Sequence, residues 1–350
     1  MLSAKSAKIR VPTLNLNLLL NLNLNLTMVT IILPAHNAED TLADAIRSCL
    51  DQTYNDYELW VLENGSTDRT LEVARQFEGE KVKVFALGKT GFQGALTWGL
   101  ENAKSKYIAR MDADDIMMHH RLEWQVNFLE NTNGAIMLGT HCAYLTPFGS
   151  ILERKPGKPD RQLKIEHFNT QNKPIRKYFG DPTVMYNREA AIAAGGYDDD
   201  FTIGDIPLWI RMLKVGKCFE SNEVPFIYRL KPASMSQGYK PFLDSINIRK
   251  KYAPEQLKDW PEKPPANYSN KDCFGFWRRI AEFALLTDNK KEVRQALNKM
   301  MQEPVPFKQK IKSLVGFRLM PGFKKRIQQK HNNLEFVRRH DLERDYAQYL

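Results

Sequence analysis

Residues 29–68 read VTIILPAHNAEDTLADAIRSCLDQTYNDYELWVLENGSTD, and strand and helix periodicities alternate within that stretch. Val29 to Leu33 is a short β-branched apolar run closed by Pro34, the pattern of a strand buried on both faces. Leu42, Ala45, Ile46, Cys49 and Leu50 then fall at i, i+3, i+4, i+7 and i+8, which makes one face of a helix apolar. Glu39 and Asp40 stand at the favourable N-terminal end of its dipole. Glu58 to Leu62 returns to a strand pattern and runs into the turn Glu63-Asn64-Gly65-Ser66. Downstream the alternation continues with a helix through Leu71, Ala74 and Phe77, a strand near Val82 to Leu87, a helix around Ala95 to Ala103 and a strand from Tyr107 to Met111. This order predicts an α/β fold, a mostly parallel sheet with helices on both faces that binds ligands beyond the carboxyl ends of its strands.

Polar residues stand at those strand ends. Strand one ends in Pro34-Ala35-His36-Asn37, strand two in Glu63-Asn64-Gly65-Ser66-Thr67-Asp68, and strand four in Asp112-Ala113-Asp114-Asp115. The last cluster is the sharpest, because crowded carboxylates repel one another unless a cation or counter-charges stand nearby. In an extended segment Asp112 and Asp114 point to the same side, about 6–7 Å apart at Cα. Such hard oxygen ligands suit Mg²⁺ or Mn²⁺, which in turn can hold a diphosphate. The competing reading is a solvated acidic turn capping a helix that begins near Arg121.

The run from Val29 to Thr70, followed by YIARMDADD (Tyr107 to Asp115) and RLEWQVNFLE (Arg121 to Glu130), closely resembles the family-two inverting glycosyltransferases of GT-A fold. The resemblance extends to about Ser236 through Gly180-Asp181-Pro182-Thr183-Val184-Met185, Gly195-Gly196-Tyr197 and Gly204-Asp205-Ile206-Pro207-Leu208-Trp209. It implies that Pro34, Ala35, His36 and Asn37, with Glu63 and Asn64, hold the nucleotide base of a nucleoside-diphosphate sugar. It further implies that Asp112, Ala113 and Asp114 hold ribose and a divalent metal, with Asp114 and Asp112 as ligands, and that Asp205 is the catalytic base. A metal can neutralise the charge that builds on the leaving diphosphate. A carboxylate can take the proton of an attacking hydroxyl, and a single displacement with no enzymic nucleophile inverts the anomeric centre. On spacing alone Asp205 reads equally as a helix cap ahead of Leu208, Trp209 and Met212; the resemblance assigns the base.

Departures from the family pattern shape the expectations. Two aspartates are usual where this chain has Glu63-Asn64, and the neutral Asn64 both accepts and donates hydrogen bonds; the expected base is uracil. His36 replaces a common aromatic residue and reads as stacking or loop packing. His119-His120 reads as a solvated pair before a helix, and Asp198-Asp199-Asp200 as an acceptor-side loop without metal. A sugar nucleotidyltransferase is the weaker alternative, since no Gly-rich, Arg- and Lys-bearing loop follows strand one. No GxGxxG follows it either, which disfavours a dehydrogenase. A non-catalytic relative that only binds nucleotide sugars remains the alternative of a different class.

Composition sets the wider frame. The chain has 350 residues, 51 Lys and Arg against 41 Asp and Glu, and 11% aromatic residues, so it is globular and basic and not a disordered basic protein. Cys49, Cys142, Cys218 and Cys273 are scattered without a CxxC pair, so no zinc site or disulfide framework is signalled and a reducing compartment is expected. No uninterrupted apolar stretch is long enough to span a membrane. Residues 1–27, with the Leu/Asn alternation TLNLNLLLNLNLNLT, read as a low-complexity appendage ahead of Met28, where translation could also start. Residues 28–240 form the expected GT-A domain and residues 241–350 a helical, basic C-terminal region, with two antiparallel helices around Thr287-Asp288-Asn289. From Met301 to Leu350, eleven Lys or Arg face five Asp or Glu, a net of six positive charges. Apolar residues among those cations fit an anionic membrane surface, or alternatively a solvated helical face; no motif supports nucleic acid. The expected setting is cytoplasmic and peripheral at the inner face of the cell membrane, with a glycan or glycolipid acceptor of the lipopolysaccharide or capsule type.

Overall fold

The computed structural model describes residues 28–154, 161–163, 181–201, 204–232, 247, 250–251, 273–306, 310, 327 and 336–349. The Leu/Asn segment and nearly all of the basic stretch between Phe307 and Glu335 lie outside them.

In chain order the first half consists of β1 (Val29–Ala35), α1 (Leu42–Leu50), β2 (Tyr57–Glu63), α2 (Thr70–Arg75), β3 (Val82–Ala86), α3 (Gly91–Asn102), β4 (Tyr107–Arg110), β5 (Ile116–Met117), α4 (Arg121–Asn131) and β6 (Ala135–Thr140). There follow β7 (Ala143–Leu145), β8 (Ile151–Arg154), β9 (Arg161–Gln162), β10 (Met185–Asn187), α5 (Arg188–Ala193), α6 (Asp205–Met212), β11 (Lys217–Ser221) and β12 (Phe226–Arg229). The last described elements are α7 (Cys273–Leu286), α8 (Lys290–Gln302), β13 (Phe336–Arg338) and α9 (His340–Asp345).

The main sheet has eight strands in the order β3-β2-β1-β4-β10-β6-β11-β9. β1 pairs in parallel with β2 and with β4, while β10 runs antiparallel between β4 and β6. Alternate residues of β1 and β2 feed two separate cores, as the strand period of two requires. Ile32, Trp60 and Leu62 pack under α3, α5 and α6 with Leu96, Leu100, Leu208 and Trp209. Ile31, Leu33, Leu59 and Val61 meet Leu42, Ile46, Ala74 and Leu122 on the opposite face. A Cβ at Gly99 would sit 2.8 Å from Ile32 Cδ1, so this glycine lets α3 lie close against the sheet.

β1 continues through Pro34, beyond the expected end. The reason is positional: Met111 N–H donates to Ile32 O, so the backbone groups of Ile32 and of Pro34 face the β4 side. The last β4 residue, Arg110, pairs with Ile32, and beyond it a missing N–H leaves no ladder bond unmade.

A second sheet of five strands, β13-β8-β7-β12-β5, stands beside the first. Its strands are short, and β5 begins immediately after the acidic cluster. The C-terminal region is helical where α7 and α8 form the expected hairpin, whose turn holds Asp288 at φ +56° and lets the Asn289 side chain cap α8 through Glu292 N–H. Phe276, Ile280, Ala296 and Met300 of that hairpin pack with Phe148 and Leu230. It is not helical throughout, because β13 adds a strand antiparallel to β8. Among the described residues no helix is long and apolar enough to cross a membrane.

Candidate active site

The parallel register brings Ala35 level with Glu63, so the loops after β1 and β2 interlock. His36 Nδ1 lies 2.9 Å from Asn64 O, and Asn37 Oδ1 accepts from Thr67 N–H at 2.9 Å. Asn37 N–H donates to Ser66 Oγ at 3.1 Å. These bonds hold Asn37 at φ +48°, a left-handed conformation that Asn tolerates better than most residues. Asp68 ties the loops from below, accepting from Glu39 N–H and from the Thr70 hydroxyl, which in turn accepts from Ala38 N–H. His36 therefore packs within the loop, and both His36 and Asn37 stay exposed at its rim.

Glu63 is buried and its Oε1 accepts from Ser66 N–H at 2.5 Å. Asn64 Oδ1 receives Thr90 N–H at 2.9 Å, Thr90 Oγ1–H at 3.0 Å and Gly91 N–H at 3.0 Å. Backbone N–H groups can donate only to the amide oxygen, so the orientation of this side chain is set by its partners. The amide oxygen thus caps the N-terminal end of α3, and the Asn64 amide N–H₂ is the group left to donate.

Beyond β4, the ligand oxygens of Asp112, Asp114 and Asp115 lie within 4.8 Å of one another. Arg110, fully buried, organises the first of them. Its Nη2 donates to Asp112 Oδ1 at 2.9 Å and to Asp181 Oδ2 at 2.9 Å, while Nη1 donates to the Ile32 and Met111 carbonyls. Burial pushes the Asp112 carboxyl up to about 6; Arg110 opposes that rise, and Asp114 and Asp181 add to it. Asp115 is raised well above the ordinary range, first by burial and then by Asp114 and Asp112.

β12 closes the other side, because it pairs antiparallel with β5. Arg229 N–H donates to Asp115 Oδ1 at 2.8 Å and Arg229 Nε donates to Asp114 O at 2.9 Å. Lys231 Nζ stands 3.2 Å from Asp114 Oδ2. Asp115 Oδ2 is buried and has no hydrogen-bond partner among the described residues. A converging set of hard carboxylate oxygens, one of them buried and unsatisfied, fits a Mg²⁺ or Mn²⁺ ion. Asp115 is a candidate oxygen donor beyond the expected Asp112 and Asp114.

Asp205 is buried at the first position of α6. Gly204, just before it, packs so closely on Gln93 of α3 and on the Asp198 carbonyl that a side chain there would clash. Trp209 anchors the same helix, its ring 5.5 Å from that of Tyr186. In the acidic loop ahead of α6, Lys251 Nζ binds Asp198 Oδ2 at 3.1 Å and Asp200 Oδ2 at 2.9 Å. His119 Nδ1 lies 3.1 Å from the Tyr346 hydroxyl, a contact between the start of α4 and the C-terminal segment.

Arg110, Asp181, Arg229 and Lys231 were not among the expected site residues. Arg110 did carry a readable signal: a charge in an otherwise apolar strand beside carboxylates must have a buried partner.

The sequence profile described as Glycosyl transferase family 2 matches residues 30–193. The O-antigen biosynthesis glycosyltransferase WbnJ of Escherichia coli is 30% identical over 193 residues, covering 53% of this chain and 72% of WbnJ. UDP-Glc:alpha-D-GlcNAc-diphosphoundecaprenol beta-1,3-glucosyltransferase WfgD of Escherichia coli is 34% identical over 115 residues, 33% of this chain and 46% of WfgD. Among solved structures, S. aureus TarS 1-349 in complex with UDP-GlcNAc superposes with a TM-score of 0.50 at 17% identity, covering 77% of this chain and 79% of that one, a likeness of fold. With its mostly parallel sheet, its interlocked β1 and β2 loops and its acidic cluster after β4, the chain belongs to glycosyltransferase family 2 and has the GT-A type of fold.

Proposed function

We propose that this chain is an inverting glycosyltransferase that moves a sugar from a UDP-linked donor to a hydroxyl of a surface-glycan acceptor such as lipopolysaccharide or capsule. The observation that carries the reading is the convergence of Asp112, Asp114 and Asp115 beside the loops of β1 and β2, at the strand ends where such sheets bind ligands. Pro34, Ala35, His36 and Asn37 with Glu63 and Asn64 form the wall for the base. The Asn64 amide N–H₂ suits a carbonyl-bearing base such as uracil. Asp112 and Ala113 face the ribose, and Asp114 with Asp112 holds Mn²⁺ or Mg²⁺. A bound divalent ion supplies positive charge for the leaving diphosphate. Arg110 keeps Asp112 in place, and Asp205 receives the proton of the acceptor hydroxyl as it attacks from the opposite face. One displacement then gives inversion.

Residues 28–240 form the catalytic domain in this reading, and residues 241–350 carry the helical hairpin and the basic stretch. The excess of six positive charges after Met301 supports docking on an anionic membrane at the cytoplasmic face, as does the similarity to WbnJ, an O-antigen biosynthesis glycosyltransferase, and to WfgD, which acts on a diphosphoundecaprenol-linked sugar. A thermal-shift panel of UDP-sugars with and without Mn²⁺, followed by transfer to a lipid-diphosphate-linked sugar, tests the assignment. A metal-dependent shift lost in Asp114→Ala, with product of inverted configuration, is expected. Binding without transfer or hydrolysis would leave a nucleotide-sugar-binding relative instead.

A further inference from the structure

Three cations surround the acidic cluster, and they differ in how firmly they are held. The Arg110 side chain is 0% exposed and spread over Asp181, Asp112 and two carbonyls. Arg229 is fixed through Asp114 O and Tyr349 O. The Lys231 ammonium forms its one salt bridge among the described residues with Asp114 Oδ2, at 3.2 Å, and both side chains are more than one-third exposed, at 38% and 37%.

The backbone that leads into Lys231 is nevertheless pinned. Leu230 N–H donates to Leu145 O at 2.9 Å, and Arg229 N–H donates to Asp115 Oδ1 at 2.8 Å, so the two residues before Lys231 are fixed beside the cluster. The Lys231 side chain is open to solvent and borders a cavity of about 230 Å³ lined by Thr146, Pro147, Gly149, Arg229 and Pro232 among others, so the ammonium can leave Asp114 for water. A charged lysine has donors and no lone pair, so it neutralises a carboxylate without being a metal ligand.

We infer that Lys231 is a built-in counter-cation of this site: in the free protein it occupies the place beside Asp114 that a divalent ion would need, and it must leave before the ion binds. The inference rests on the reading of the acidic cluster as a divalent-metal site. Ion and ammonium repel each other across a few ångströms, so metal alone binds the free protein weakly. A nucleoside diphosphate brings negative charge for both cations, so metal and donor bind cooperatively. Lys231 is thus a positioning residue that ties metal uptake to donor arrival.

The test is a Mn²⁺ titration of the full chain followed by electron paramagnetic resonance, without nucleotide and then with UDP. Lys231→Gln is expected to bind Mn²⁺ alone about tenfold more tightly than the wild type, and Lys231→Arg to stay weak, because a nearby +1 charge opposes a +2 ion. UDP should strengthen Mn²⁺ binding in the wild type far more than in Lys231→Gln. Lys231→Ala repeats the comparison should the Gln variant melt early. Equal or weaker Mn²⁺ binding in both neutral variants overturns the inference. If the wild type then still takes up Mn²⁺ with UDP, and Asp114→Asn does not, the metal reading survives alone. If no chain binds Mn²⁺ with or without UDP, both readings fall.

Discussion

Asp181 Oδ2 accepts two hydrogen bonds from Arg110, from Nε at 3.1 Å and from Nη2 at 2.9 Å, across 71 residues of chain. Nη2 also reaches Asp112, so the segment before β10 governs a carboxylate beyond β4. Asp181→Ala would leave a fully buried guanidinium with Asp112 as its one remaining carboxylate partner among the described residues. Removing one partner of such a pair typically costs about 3 kcal/mol or more. A urea titration should show that loss, and UDP-sugar affinity should fall with it; a cost below about 1 kcal/mol would mean the pair is no stronger than a surface one.

Asn64 acts from outside α3 as its cap. Asn64→Ala should destabilise the chain by about 1–2 kcal/mol, since two backbone N–H groups and a hydroxyl lose their acceptor. Asn64→Asp keeps the acceptor and adds a negative charge at a helix N-terminus, so its melting temperature should equal or exceed that of the wild type. A lower melting temperature for Asn64→Asp in a calorimetric scan would show that losing the amide N–H₂ costs more than the added charge gains.

Asp205→Asn should leave UDP-sugar binding nearly unchanged while slowing transfer by about 10²-fold or more, because only proton removal is lost. Single-turnover kinetics separate the two effects. Near-normal turnover would return Asp205 to the role of a helix-capping residue.

Metal affinity should depend on pH in a direction set by Asp112. Its carboxyl is raised to about 6 by burial, with Asp114 and Asp181 adding to the rise against Arg110. Below that pH the protonated form predominates and competes with the ion, so Mn²⁺ affinity in the presence of UDP should fall as pH drops from 7 through about 6. An affinity that stays flat between pH 7 and 5 would remove Asp112 from the ligand set.

What could be read from the sequence was local. Val29 to Leu33, Leu42 to Leu50 and Tyr107 to Met111 each carry a periodicity within one element, and each element stands where that pattern put it. Asp112 and Asp114 were legible because they follow a strand end. Pairings across long separations left no such trace. Arg229 reaches Asp115 across 114 residues and Asp181 reaches Arg110 across 71, and neither spacing has a period. The second sheet was hidden for a different reason: β5, β7 and β13 have two or three residues each, too few for alternation to be visible. Pro34 misled because the cost of a proline depends on whether its neighbour strand has already ended, which is a property of register.

β13 has a consequence for the timing of synthesis. Arg339 binds Glu153 across 186 residues, and the strand before it covers the β8 edge. At ribosomal rates that span takes about 10–40 s to make, and domains generally fold as units in the order of synthesis. During that interval the main sheet can form while β8 offers an open edge to any strand nearby. Arg229 likewise waits for the Tyr349 carbonyl and His119 for the Tyr346 hydroxyl, so the setting of the acidic cluster is completed only when the last turn of the chain emerges. A nascent chain stalled before Phe336 would therefore bear folded β1 and β2 loops with an unfinished acidic cluster, vulnerable to edge-to-edge association until the closing strand arrives.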